Sequence, residues 1–162
     1  MAGKLAREIG QTKPFALLEE EALLNLTRTA ESLTRKTSEV MKPFEISPTQ
    51  YNVLRILRGA GKQGLTCSQI GERMVTFDPD ITRLVDRLEK RGLVERERCT
   101  QDRRVVFTRI ERSGLDLLTE IDGPLQQTLK HNLGHLGKAK LQQLIELLEE
   151  LRADSAELHG DE

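Results

Sequence analysis

The sequence predicts a mostly α-helical protein carrying one small β-hairpin, with a compact lobe at residues 47–111 set between helical segments at 1–46 and 112–162. Three observations predict it. Apolar residues recur at three- and four-residue intervals through most of the chain, which is the period of helices with one buried face. Between residues 93 and 110 that period gives way to two runs rich in β-formers, separated by a polar link. Charge is also unevenly spread. Residues 47–112 hold 14 Lys and Arg against 9 Asp and Glu, while the rest hold 11 against 17, so a net of −1 conceals a basic centre between acidic flanks. That asymmetry is expected when one part of a chain meets a polyanion and the rest does not.

Bulk composition narrows the class. A chain of 162 residues can bury a real core, and 37% hydrophobic with 31% charged residues suits a largely helical globular protein. No apolar run approaches the roughly 18 residues that a membrane span needs. The first residues lack the continuous apolar stretch of a secretory signal. Two cysteines without metal-like spacing provide no disulfide framework and fit a reducing compartment, so a cytoplasmic location is expected. No nucleophile elbow, P-loop, dinucleotide fingerprint or zinc-protease motif is present, and neither an enzyme nor a cofactor is expected.

The first helical segment covers roughly residues 15–41. Leu23, Leu26, Ala30, Leu33, Thr37 and Val40 alternate by three and four, which is heptad spacing. A seam this narrow suits a partner helix better than a broad core, although packing inside its own chain is the other reading. Pro43 ends the segment, because the residue before a proline disfavours helix.

Ser47, Pro48 and Gln50 then form a helix start: an N-cap, a proline at the first position and the second arm of a capping box. Ile46 and Tyr51 are spaced to staple it. This helix runs through Leu54 and Leu57 to Gly59 and Gly61. Thr66 and Gln69 repeat the capping box, with Leu65 and Ile70 as the staple, and a short helix to about Met74 follows. Residues 75–78 are the turn. Asp78 is the expected N-cap of the next helix and Pro79 its first residue. Ile81, Leu84, Val85 and Leu88 make its buried stripe, and Pro79, Arg83, Asp86, Arg87 and Lys90 face the other way. Gly92 is placed to stop it. A short helix, a tight turn and a basic helix make a helix-turn-helix, in which the second helix can enter a major groove.

The β-rich runs at 93–98 and 104–110 pair as a hairpin whose link, 99–103, is polar and basic. Helix-turn-helix followed directly by such a hairpin is a winged helix, with the wing positioned to probe the minor groove or its phosphates. From Arg112 the chain is helical again, through Leu115, Leu118, Ile121, Leu125, Leu129 and Leu133, with an expected kink at Gly123 and Pro124. Gly134 and Gly137 mark a turn. The last helix, at about 138–157, carries Leu141, Leu144, Leu148 and Leu151 at heptad spacing.

The runs LTCSQIGERM at 65–74 and ITRLVDRLEKRGLVER at 81–96, followed by Asp102, Arg103, Arg104 and the hairpin, resemble the MarR family of bacterial transcription regulators. The likeness extends over most of the chain, because helical segments flank the winged helix as they do in that family. The resemblance implies a homodimer whose first and last helices interlock, so Leu23, Leu26, Leu33, Leu141, Leu144, Leu148 and Leu151 become dimerisation residues. It implies double-stranded DNA as the partner, with a pseudo-palindromic operator. The DNA-facing set is then Thr66, Ser68, Gln69, Pro79, Asp80, Thr82, Arg83, Arg87, Lys90, Asp102, Arg103 and Arg104. Of the wing residues, Asp102 would brace the wing through one arginine while the adjacent arginine inserts into the minor groove. The family also implies a ligand-responsive repressor that takes a small amphipathic or phenolic ligand between lobe and helical base; Phe44, Tyr51 and Arg55 are candidate liners by position and chemistry.

Two residues depart from the pattern. Asp80 stands where the family usually offers a small hydroxyl for phosphate, so it either reads a cytosine amino group or is neutralised by Arg83 or Arg87. Glu111 stands where a threonine usually caps the next helix, and Ser113 is the alternative cap. Two other functions compete. A winged helix can serve protein contacts instead of DNA, and Cys67, at the start of a helix, could act as a thiol redox switch. His131 and His135 have metal-ligand spacing but fall at a helix end with no further ligand nearby, so no metal is assigned.

Overall fold

The computed structural model describes residues 3–157. A short helix not anticipated from the sequence, α1 (Lys4–Glu8), buries Leu5 and Ala6 and leads to α2 (Leu18–Met41). A 3-10 turn, Lys42–Phe44, ends α2 at the expected proline. Then come α3 (Pro48–Ala60), α4 (Cys67–Glu72), α5 (Ile81–Lys90), β1 (Val94–Arg98), β2 (Val106–Ile110), α6 (Arg112–Leu133) and α7 (Gly137–Glu157). No helix among the described residues is long and apolar enough to cross a membrane.

Both predicted capping boxes are present. Ser47 Oγ accepts from Gln50 N–H and Gln50 Oε1 from Ser47 N–H; Thr66 and Gln69 repeat this reciprocal pair at α4. Each satisfies backbone donors that the first turn leaves without helical partners. The staple residues Ile46, Tyr51, Leu65 and Ile70 are all buried in one cluster. That cluster is the core of the lobe, built from Val53, Leu54 and Leu57 of α3, Ile70 of α4, and Leu84, Val85 and Leu88 of α5. Leu118 and Ile121 of α6 close it from the side of the helical base.

β1 and β2 pair antiparallel with Val94 opposite Ile110 and Arg98 opposite Val106. Leu65 and Thr108 add a bridge through two backbone hydrogen bonds of 3.0 and 2.7 Å, so the segment before α4 lies along the outer edge of the hairpin. Alternation of polar and apolar residues could reveal the hairpin, but this third edge is a long-range pairing with no local signature.

Four expectations about element ends need correction. The helix-turn-helix link is not four residues: α4 stops at Glu72 and α5 begins at Ile81. The N-cap of α5 is Asp80, whose carboxylate accepts from Arg83 N–H at 3.1 Å; Asp78 instead accepts from Asp80 N–H at 2.9 Å, and Pro79 precedes the helix. Two aspartates two apart both suit a cap, and the one whose side chain reaches the third backbone N–H of the buried stripe prevails. At the start of α6 neither proposed cap operates. Glu111 occupies the N-cap position without a side-chain bond, while Ser113 Oγ donates to Gly92 O at 2.6 Å. Finally, Gly123 and Pro124 do not interrupt the helix as expected: α6 is one helix from Arg112 to Leu133 with Pro124 inside it.

Candidate nucleic-acid interface

The outer face of α5 presents Arg83, Arg87 and Lys90, and the acids of the same helix are engaged by another element. Asp86 and Glu89 lie three apart, hence on one face of the helix. Arg96 of β1 reaches both, with Nη2 at 2.8 Å from Asp86 Oδ1 and 2.5 Å from Glu89 Oε2, and Nε at 3.0 Å from the same Glu89 oxygen. The Arg96 hydrogen bonds hold the Glu89 carboxyl below the usual carboxylate range. One strand guanidinium thereby engages both carboxylates of the helix and offsets one of their two charges. Arg83, Arg87 and Lys90 are exposed, and among the described residues no ion pair engages them. Thr82 lies exposed beside them. Among the described residues no arginine side chain pairs with Asp80; its carboxylate accepts from the Arg83 backbone at the helix end.

At the other end Gly92 takes φ +67°, a left-handed conformation that terminates α5 where the sequence predicts. Arg91 turns away from the basic face and donates to the carbonyls of Phe44 and Glu45 at 3.1 and 2.5 Å, anchoring α5 to the turn after α2.

The wing tip is the turn between β1 and β2, closed by Cys99 N–H to Val105 O at 2.9 Å. Asp102 Oδ1 accepts from Arg104 N–H at 2.9 Å, and Val105 N–H donates to Asp102 O at 3.0 Å. Asp102 thus braces the tip through the backbone of an arginine and not through a guanidinium. Arg103 and Arg104 are both exposed. At the wing root Arg109 donates to Lys62 O at 2.8 Å and pairs with Glu97, which ties the hairpin to the turn after α3.

The first helix of the pair contributes less than its residue types suggest. Thr66 and Gln69 spend hydroxyl and amide oxygen on each other's backbone, leaving the Gln69 amide NH2 as an outward donor. Ser68 Oγ donates to Glu72 Oε1 at 3.2 Å. Cys67 is half-buried against the lobe core, and Cys99 is half-buried at the wing.

The three candidate ligand-lining residues part company. Tyr51 is a core residue at 6% exposure, Phe44 packs partly buried against the same core, and Arg55 is exposed. Sequence reasoning missed their neighbour. Asp122 of α6 forms a half-buried ion pair with Arg58 of α3 at 2.7 Å and lies 3.4 Å from the Tyr51 hydroxyl. Burial, and then the Asp122 charge, push the Tyr51 phenol above its ordinary value. Tyr51, Arg55 and Arg58 share one face of α3 by their four- and three-residue spacing, but Asp122, the partner of Tyr51 and Arg58, lies 64 residues or more away and no local pattern could supply it. Among the described residues no group of three or more His, Cys, Asp or Glu is arranged to hold a metal ion, and His131 and His135 stand at the α6 end and in the turn Gly134–Leu136.

The terminal helices keep much of their apolar seam outside the protomer. On α2, Leu23 is 63% exposed, Leu26 is exposed and Leu33 is half-buried. On α7, Leu144 and Leu151 are exposed while Leu141 and Leu148 are half-buried. α2 packs along α6, and α7 departs from the turn Gly134–Leu136.

Comparison with known proteins agrees with this architecture. The model of the MarR family matches residues 46–106, from just before α3 to the first residue of β2. The chain is 27% identical over 135 residues to the HTH-type transcriptional regulator MhqR of Bacillus subtilis, spanning 83% of this chain and 92% of the relative. Among solved structures it is 42% identical to a MarR transcription factor from Planctomyces limnophilus, with a TM-score of 0.66, covering 84% of this chain and 98% of that one. It shares its fold with MepR of S. aureus, solved as a complex with DNA, at 19% identity and a TM-score of 0.72 over 80% of this chain and 94% of that one.

Proposed function

The chain belongs to the MarR family and is a DNA-binding transcriptional regulator, not an enzyme; from that premise we propose that it is a homodimeric repressor of a pseudo-palindromic operator whose grip on DNA is set by a small ligand. The observation that carries the proposal is the basic ridge of α5, where Arg96 engages both Asp86 and Glu89 and, among the described residues, no ion pair ties up Arg83, Arg87 or Lys90. A helix face with three unpaired cations, its acids drawn to a strand arginine, is suited to a phosphate-lined major groove, and its N-terminal half to base edges. Arg103 and Arg104 extend the same charge to the wing. The DNA complex of the structural neighbour MepR supports this use of the fold.

The dimer would bury the α2 and α7 seams isologously and set two α5 helices about 34 Å apart, one turn of duplex. A small anionic aromatic or other amphipathic ligand would act between lobe and base, near Phe44, Tyr51 and Arg55, by favouring a conformer in which that spacing is wrong for DNA. Support for that location is the Arg58–Asp122 pair, which joins lobe helix α3 to base helix α6 at this place.

Selection of bound sites from a random duplex pool, followed by titration of variants on the selected operator, tests the reading. Arg83→Ala and Arg87→Ala are expected to weaken binding by about 1–3 kcal/mol each, with relaxed preference at one base pair. Replacing Arg103 and Arg104 together should weaken all sequences alike and flatten the salt dependence. Variants that hold the operator as tightly as the parent would place the DNA surface elsewhere.

A further inference from the structure

Within the winged lobe the only exposed large hydrophobic residues among those described are Val75 and Phe77, at 80% and 92% exposure. The other exposed large hydrophobics lie in the N-terminal segment and on α2, α6 and α7. Isolated exposed apolar residues are common and need no explanation by themselves. These two differ in place and in support. They belong to the link between α4 and α5, the segment that leads into the N-terminal end of the helix carrying Arg83 and Arg87. The link is held on both sides of Phe77: Val75 N–H donates to Asn52 Oδ1 of α3 at 2.9 Å, and Asp80 N–H donates to Asp78 Oδ1 at 2.9 Å. Asp80 then caps α5. A phenyl ring is thus displayed in water from a pinned loop, continuous with the DNA-facing ridge.

Polar groups at the rest of this surface can read hydrogen-bond donors and acceptors on base edges. The thymine 5-methyl group is the one apolar mark in the major groove, and it is recognised by apolar side chains. We propose that Phe77 is a specificity-determining residue that packs against a thymine 5-methyl group in the major groove, at the edge of the half-site read by α5. The proposal rests on the DNA-binding reading and adds to it one apolar contact and one preferred base.

Deoxyuridine keeps the pairing, charge and backbone of thymidine and removes only the methyl. The full-length protein is used to select its operator, and each thymine of a half-site is then replaced in turn by deoxyuridine. For the parent, one position per half-site should lose about fourfold in affinity, the value for burying one methyl-sized group. Phe77→Ala, a change at an exposed side chain that leaves the melting temperature unchanged, should bind the thymine and uracil forms of that site equally. Its own selected sites should lose the thymine preference there, with the salt dependence of binding unaltered. A parent indifferent to every methyl, a selected site without thymine at the α5 edge, or a methyl effect that persists in Phe77→Ala would each overturn the proposal while leaving DNA binding intact. Failure to select any duplex would instead remove the DNA-binding reading, and this contact with it.

Discussion

Tyr51 shows how much one side chain can report. It is the sole tyrosine of a chain without tryptophan, so phenolate absorbance reads this site alone. Burial and the Asp122 charge raise its pKa above the ordinary 10.0. A group raised in the folded state contributes stability that is fully present below its unfolded value and lost as pH rises through the folded one. Phenolate should therefore appear only above the ordinary tyrosine range, accompanied by weakening of the fold. Asp122→Asn removes the like charge and should shift the midpoint downward; an unmoved midpoint would mean that Asp122 and the hydroxyl do not sense each other. The same pair of helices is joined by Arg58 and Asp122, so this titration also tests the connection between lobe and base.

Among elements, the junction between α5 and β1 shows why α6 sits where it does. Leu93 O accepts from Glu111 N–H at 3.0 Å and Gly92 O from Ser113 Oγ, so the start of α6 is stitched to the end of the basic helix. Gly114 then lies against this backbone. A Cβ there would meet Leu93 O and come within 2.8 Å of Ile110 Cγ1. Gly114→Ala must move a helix or a strand, and overpacking of this kind costs about 1–3 kcal/mol. The expected outcome is a lower melting temperature, with reduced operator affinity because α5 and the wing share the disturbed junction. An unchanged melting temperature would show that α6 can slide freely at its N-terminus.

For the whole molecule the decisive question is what covers the leucines of α2 and α7. A leucine 63% exposed at position 23, with Leu144 exposed on α7, leaves apolar area on the ends of the chain that the lobe core does not use. If two copies cover it mutually, as proposed, Leu144→Glu should shift sedimentation from dimer to monomer. Operator affinity should then fall steeply, because two half-sites held by one dimer gain from effective concentration that separate lobes lose. A parent that sediments as a monomer at concentrations where it binds a two-half-site operator would contradict this assembly.

What the sequence by itself determined is what depends on neighbours within a turn or two: the capping boxes at Ser47 and Thr66, the buried stripe of α5, the stop at Gly92 and the hairpin. Hydrophobic period and capping chemistry are local, and a local pattern can be read in one dimension. The cap of α5 falls on Asp80 and not on Asp78, although both residues are chemically fit for it, because Asp80 is the one whose carboxylate reaches the Arg83 N–H. Tertiary structure alone decided which charges meet. Arg96 bridging Asp86 and Glu89, Asp122 joining Arg58 and Tyr51, Arg91 clamping the turn after α2, and the exposure of Phe77 all depend on distances between elements. Such distances follow from how whole faces pack, a property that no short stretch of chain carries.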